Sequence, residues 1–196
     1  MSLLDNKRSE HQELLTKIAA EIAKRESHAA KVAVLRKVAA PVTEITDGTR
    51  RLLDDMAETM YDAPGIGLAA PQVNISVRVI VMDCGRDEAP ELYKMINPEI
   101  VARSDDHSVL EEGCLSIPHQ TAEVERPASV DVRYLDTDGN EQMLHCEGLL
   151  AACVQHEIDH LDGVLFIDHL SRLKRDMIVR KALKELRQSA ASQGRD

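Results

Sequence analysis

The 196-residue chain has no tryptophan, one phenylalanine and three tyrosines, so aromatic residues make up only 2% of it. A platform that stacks nucleobases needs exposed rings, and this composition argues against one. Long apolar runs are missing too. The longest candidates, such as 149–154, fall far short of the roughly 18 residues a membrane span needs. No membrane partner is expected. The first 17 residues, MSLLDNKRSEHQELLTK, lack the basic-then-apolar order of a secretory signal, and Asp5, Glu10 and Glu13 argue against a transit peptide. A cytoplasmic location is expected. Bases are outnumbered, 24 Lys and Arg against 34 Asp and Glu, for a net charge of −10, which argues against a general polyanion binder. With only four cysteines (Cys84, Cys114, Cys146, Cys153) in a reducing compartment, metal or catalytic use is expected rather than a disulfide framework.

Hydrophobic residues make up 43%, enough for one core of ordinary size. Apolar residues at helical spacing predict a helix over 5–37 and another from a cap at Asp47 or Thr49 to about Tyr61. A glycine-rich turn, Pro64 to Gln72, leads into a β-branched strand at 77–82. Short strands are expected at 93–96 and 99–103, then a polar loop at 104–108. Segments 124–135 and 141–146 flank the turn Asp136-Thr137-Asp138-Gly139-Asn140, a hairpin signal. A largely apolar helix follows from Leu149 to about Leu161, ended by Asp162-Gly163, and a last helix spans 171–188. Helices at both ends of a run of strands predict an α+β fold, with antiparallel or mixed strands around the 149–161 helix.

That helix carries His156-Glu157-Ile158-Asp159-His160. On a helix, positions i and i+4 share a face, so two imidazoles can bind one metal while the intervening Glu reaches a water. An apolar helix that buries two His and a Glu without a partner would be costly. A third ligand is needed. The metzincin position holds Phe166, which cannot bind metal, and the gluzincin alternative, Glu185, lies on a charged terminal helix. Cys153 shares the stripe, but Cys153, His156 and His160 would span about 10.5 Å of helix axis. Cys114, in Glu111-Glu112-Gly113-Cys114-Leu115-Ser116, is better placed, following a Gly in extended sequence. Cys with two His leaves a fourth position for water, the pattern of a catalytic site, and ligand type alone points to zinc. The Gly65-Ile66-Gly67 segment is neither a Walker A nor a Rossmann loop. Gln72 behind it is a candidate side-chain donor to an oxyanion.

Three segments in order, Gly65-Ile66-Gly67-Leu68-Ala69-Ala70-Pro71-Gln72, Glu112-Gly113-Cys114-Leu115-Ser116 and His156-Glu157-Ile158-Asp159-His160, resemble the motifs of peptide deformylase, of the bacterial, helix-ended type. The resemblance covers about residues 34–187, so 34–196 is expected as the catalytic domain and 1–33 as an N-terminal helical extension. It implies Cys114, His156 and His160 as metal ligands, with Fe(II) the usual native ion and Zn(II), Ni(II) or Co(II) able to replace it. The implied reaction removes the N-formyl group from formyl-methionyl nascent chains and releases formate. Glu157 would move the protons, and Gln72 with the Leu115 backbone N–H would stabilise the oxyanion. Backbone groups of Ile66, Gly67 and Gly113 would hold the substrate as an added strand. Ile66, Leu110, Leu149 and Cys153 match the methionine pocket, although core packing explains each of them equally well.

Some relatives carry a substrate-binding Arg where this chain has Thr121; Arg126 matches a later family Arg. Two alternatives stand beside a deformylase: a HExxH metallopeptidase, and a non-catalytic module of the same fold. From Asp168 onward eight Lys and Arg face four Asp and Glu, a local +4 that leaves −14 on the rest. The plain explanation is a solvated helix face; the sharper one is docking on the ribosome. No sequence-specific nucleic acid is expected.

Overall fold

A computed structural model describes residues 34–63, 65–85 and 91–193, with backbone only for 186–193. The expected N-terminal extension lies outside the described residues, and so does all but the end of the 5–37 helix. That end comes at residue 35, since 36 and 37 are already turn and bend.

The first helix, α1 (Asp47–Asp62), starts one residue earlier than either expected cap allows. Thr46 is the N-cap, and its hydroxyl and backbone exchange hydrogen bonds with Thr49, closing a capping box. Leu53, Met56, Ala57 and Met60 recur at helical spacing and form its buried face.

Five antiparallel strands make the main sheet, in the order β1-β2-β3-β6-β7: β1 (Gly67–Ala69), β2 (Val79–Met82), β3 (Tyr93–Arg103), β6 (Ser129–Leu135) and β7 (Glu141–Glu147). The one parallel contact among the described residues is the isolated bridge Ala40–Val77. The two short strands expected at 93–96 and 99–103 are one strand, and the interruption between them is a register shift from Ile96 to Glu99. Asn97, at φ 52°, uses this bulge to bond the Val42 backbone through both ends of its amide, at 2.8 Å each.

Strand β2 shows why the sheet holds. All four residues are fully buried. Val79 and Val81 pack with α1, while Ile80 and Met82 pack with helix α2 (Gly148–Leu161) on the other face. Helices cover both faces, so the sequence reads as a continuous apolar run instead of alternating. Each such side chain contributes about 1.5–3 kcal/mol by burial.

Residues expected as one strand over 124–135 separate into two sheets. Strand β5 (Ile117–Pro127) pairs with β4 (His107–Cys114) in a two-stranded sheet, and β6 then starts at Ser129 in the main sheet. Pro127 has no N–H to extend a ladder, which fits a strand that ends there. The polar stretch 104–108 is correspondingly shorter as a loop, because β4 begins at His107. Val124 of this hairpin packs in a third cluster with Cys114, Leu165, Phe166 and Ile167. The last helix, α3 (Arg172–Gln193), opens on Ser171, whose hydroxyl accepts the Lys174 N–H, and adds Ile178 to that cluster.

Candidate metal centre

Three elements supply the centre. Helix α2 carries His156, Glu157 and His160; β4 ends in Glu112, Gly113 and Cys114; the segment around β1 brings Ile66, Gly67 and Gln72. The chain enters α2 through Gly148 at φ +55°, a left-handed backbone that favours glycine. Gly67 is required for a different reason. A Cβ there would lie 2.4 Å from Glu157 Oε1 and 2.9 Å from Cys153 Sγ, so β1 lies directly against α2.

One turn apart on α2, the rings of His156 and His160 meet edge to face with centroids 4.9 Å apart. Cys114 Sγ is 3.3 Å from His160 Nε2. Donor atoms of Cys114, His156 and His160 all lie within 4.8 Å of one another, and this is the one such cluster among the described residues. Cys153 is not part of it. Phe166 stacks over His156 at 6.2 Å, and Glu185 accepts a bond from Gln120 at 3.0 Å, so neither alternative third ligand joins the centre.

Electrostatics favour an anionic Cys114 sulfur, the metal-binding form, beside a protonated His156 that must give up its proton to bind a cation. Burial alone would raise the Cys114 thiol, but hydrogen bonds and charge from His156 and His160 outweigh it and bring the pKa to about 5. Burial pulls His156 down, yet its bonds to Cys114 and Glu112 and the charge of Glu157 lift it to about 10. Burial raises Glu157 to about 7, against the opposing pull of His156 and His160. Oε2 of Glu157 is buried without a hydrogen-bond partner, and so is Nδ1 of His160. An anionic sulfur, two imidazoles and an unpartnered carboxylate oxygen fit a divalent cation with room for a water.

Behind the donors lies an ionic chain that the sequence did not reveal. Glu112 Oε2 holds His156 Nδ1 at 2.9 Å, which leaves Nε2 as the donor nitrogen. Arg126 bonds both oxygens of Glu112, at 2.5 and 3.0 Å, and reaches Asp159 at 2.8 Å; His169 bonds the same Asp159 at 2.8 Å. Glu112 and Asp159 are both held below the usual carboxylate range. In each, burial opposes the shift, and His156 with Arg126 or His169 with Arg126 outweighs it. A signal was available: two acids within the motifs, next to ligands, need a cation, and Arg126 is the only buried one on β5.

A cleft of about 490 Å³ opens onto the centre. Its lining includes Ile66, Gly67, Gln72, Leu110, Gly113, Cys114, Leu115, Leu149, Cys153, His156 and Glu157, which is every predicted site residue except His160. His160 is 1% exposed and does not reach the cleft surface. Gln72 accepts the Ala69 N–H at 2.8 Å through Oε1, so its amide N–H group points toward Cys114, 3.6 Å away. Thr121, cross-strand from Gly113, also lines the cleft.

The family model for polypeptide deformylase matches residues 11–176. Peptide deformylase of Mesorhizobium japonicum is 58% identical over 152 residues, spanning 77% of this chain and 86% of that protein. The Caulobacter vibrioides peptide deformylase is 55% identical over 163 residues, 82% and 93%. Among solved structures, a peptide deformylase from Legionella pneumophila superposes with a TM-score of 0.75 at 46% identity, covering 80% of this chain and 92% of that one. One from Ehrlichia chaffeensis in complex with actinonin gives 0.74 at 41%, covering 78% and 91%. By these matches over most of its length, the chain belongs to the polypeptide deformylase family.

Proposed function

We propose that this chain removes the N-formyl group from formyl-methionyl nascent polypeptides, releasing formate and a free amine. The observation that carries this is the convergence of Cys114, His156 and His160 beneath a cleft that also holds the unpartnered Glu157 carboxylate. Those three residues would hold a divalent cation, whose Lewis acidity toward water and the formyl carbonyl is what it supplies when bound. Glu157 Oε2 takes a proton from the attacking water and delivers it to the amide nitrogen as the C–N bond breaks. The Gln72 amide and the Leu115 backbone N–H donate to the developing oxyanion. The peptide lies as an added strand along Ile66, Gly67 and Gly113, where glycine permits close approach. Leu110, Leu149 and Cys153 then receive the methionine side chain.

Formate release from a formyl-Met tripeptide, assayed anaerobically with iron or nickel, tests this. Glu157→Gln should lower the rate by about 10²–10⁴-fold while the cation stays bound. Cleavage inside an unformylated peptide without formate would instead identify a metallopeptidase. Bound metal with neither activity would identify a non-catalytic module.

The native cation in this proposal is Fe(II), with Zn(II), Ni(II) or Co(II) as substitutes, which metal analysis of anaerobically purified protein reads directly. The reaction belongs in the cytoplasm, beside the ribosome. Helix α3 exposes Arg172, Lys174, Arg180, Lys181 and Lys184, a basic face for ribosomal RNA. Replacing Lys174, Lys181 and Lys184 with Gln should weaken co-sedimentation with ribosomes at low salt; unchanged association would refute the docking.

A further inference from the structure

The cleft has two unlike parts. Leu110, Leu149 and Cys153, which receive methionine in the proposed reaction, line one; Gly65, Leu115 and residues 118–121 line another. A peptide that continues past methionine meets this second part. The lip at 118–121 is not shaped by the hairpin ladder. Gly113 stands opposite Thr121, but Cys114, one residue on, stands opposite Ile117. Pro118, His119 and Gln120 are therefore looped out of the register as a bulge that lines the cleft. His119 takes φ +61°, a left-handed backbone that a residue with a Cβ rarely adopts. Such a conformation persists only where its surroundings over-determine it.

The restraint comes from the last helix. Gln120 is 4% exposed, on the inward face of β5 with Val124 and Arg126. Its side-chain amide donates to Glu185 Oε2 on α3 at 3.0 Å, across 65 positions of sequence. A bond to a carboxylate is stronger than one between neutral groups. Ile117 and Ala122, on either side of the bulge, pack in the same cluster as Ile178 of α3. Those apolar contacts seat the hairpin on α3, and the Gln120–Glu185 bond reaches the bulge itself. Gly113 is coupled to the bulge in turn: a Cβ there would meet Gln120 O at 3.5 Å and Thr121 Cγ2 at 3.2 Å. The bulge thus backs a residue along which the peptide would pair.

We propose that Glu185 is a positioning residue for peptide binding: from α3 it holds Gln120, and with it the bulge that meets the substrate beyond methionine. Glu185 touches no reacting atom. Without it the bulge samples other shapes, and the peptide binds only the fraction that keeps the held one. The substrate effect rests on the deformylase reading; the restraint stands on geometry alone.

Hydrogen exchange of the full-length, metal-loaded protein tests the restraint without any activity. In Glu185→Ala the backbone amides of His119, Gln120 and Thr121 should exchange about 10-fold faster, while those of β2 stay unchanged. Glu185→Gln loses the charge but keeps an acceptor oxygen, so it should stay near the wild type. Unchanged exchange at 119–121 in Glu185→Ala, or equal acceleration in both variants, would overturn the proposal. Steady-state formate release then tests the consequence. Glu185→Ala should raise KM for a formyl-Met tripeptide about 10-fold and leave kcat unchanged. It should also leave kcat/KM unchanged for formyl-methioninamide, which ends at methionine. Glu185→Gln should restore the tripeptide KM. An equal loss on both substrates, or no loss on either, would overturn the role in peptide binding. A wild type that releases no formate would overturn the deformylase reading, and hydrogen exchange would still decide whether Glu185 holds the bulge.

Discussion

The β2 strand and the β4–β5 hairpin flank the same centre but are held by opposite means. β2 is apolar on both faces, pressed between α1 and α2. The hairpin buries charge: Glu112 at 8% and Arg126 at 5% exposure, tied through Asp159 to α2. Apolar packing is non-directional and tolerates rearrangement. A buried ionic chain holds its partners in one geometry and punishes the loss of any member. The three candidate donors sit on the seam, with Cys114 from the charged side and the two His on a helix whose other face is apolar.

Arg126→Met should break the charged side most severely. It leaves the buried Glu112 without its cation and takes one partner from the half-buried Asp159, at about 3–5 kcal/mol. It also frees the His156 orientation, so metal affinity should fall about 10–100-fold. Denaturant melts and metal titration read the two effects separately. Leu53→Ala strikes the apolar side, where Leu53 is fully buried. It should cost about 2–5 kcal/mol by denaturant melt and leave metal affinity unchanged. Equal metal loss in both variants would erase the distinction between the two regions.

Acid should separate them further. The folded pKa values of Glu112 and Asp159 are depressed, so their contribution is fully present above the usual carboxylate range. It is lost as pH falls through the lower folded values. Urea melts of metal-free protein from neutral pH into acid should show the wild type losing more stability than Arg126→Met. The smallest effect belongs to Gly148→Ala. Nothing lies within 4 Å of the added Cβ, so only the φ of +55° opposes it, at about 1 kcal/mol in a thermal melt.

What the sequence revealed and what it hid divide along the same line. β2 was legible as a β-branched apolar run, and α2 through the i, i+4 spacing of its histidines, because both signals are local. Cys114, His156 and His160, which the fold brings together, were reachable through motifs for the same reason. The Thr46 cap was missed since three of four consecutive residues, Thr46, Asp47 and Thr49, can each cap a helix, and only the backbone decides. The break at Ala128 was missed because apolar residues continue through it while the strand changes sheets. The ionic chain joins residues 14, 33 and 44 positions apart, and no periodicity encodes such a pairing.

Both walls of the cleft are strand edges. β1 ends the main sheet and β4 has β5 on one side only. Such edges are templates for any extended chain, including a second copy of this protein, and so carry an aggregation hazard. Here the open edge of the sheet is only three residues long, and β4 presents the exposed carboxylate of Glu111 opposite Glu123. Two copies meeting edge to edge would set like charges together along a short ladder. The surface that admits a peptide is therefore a poor template for self-assembly.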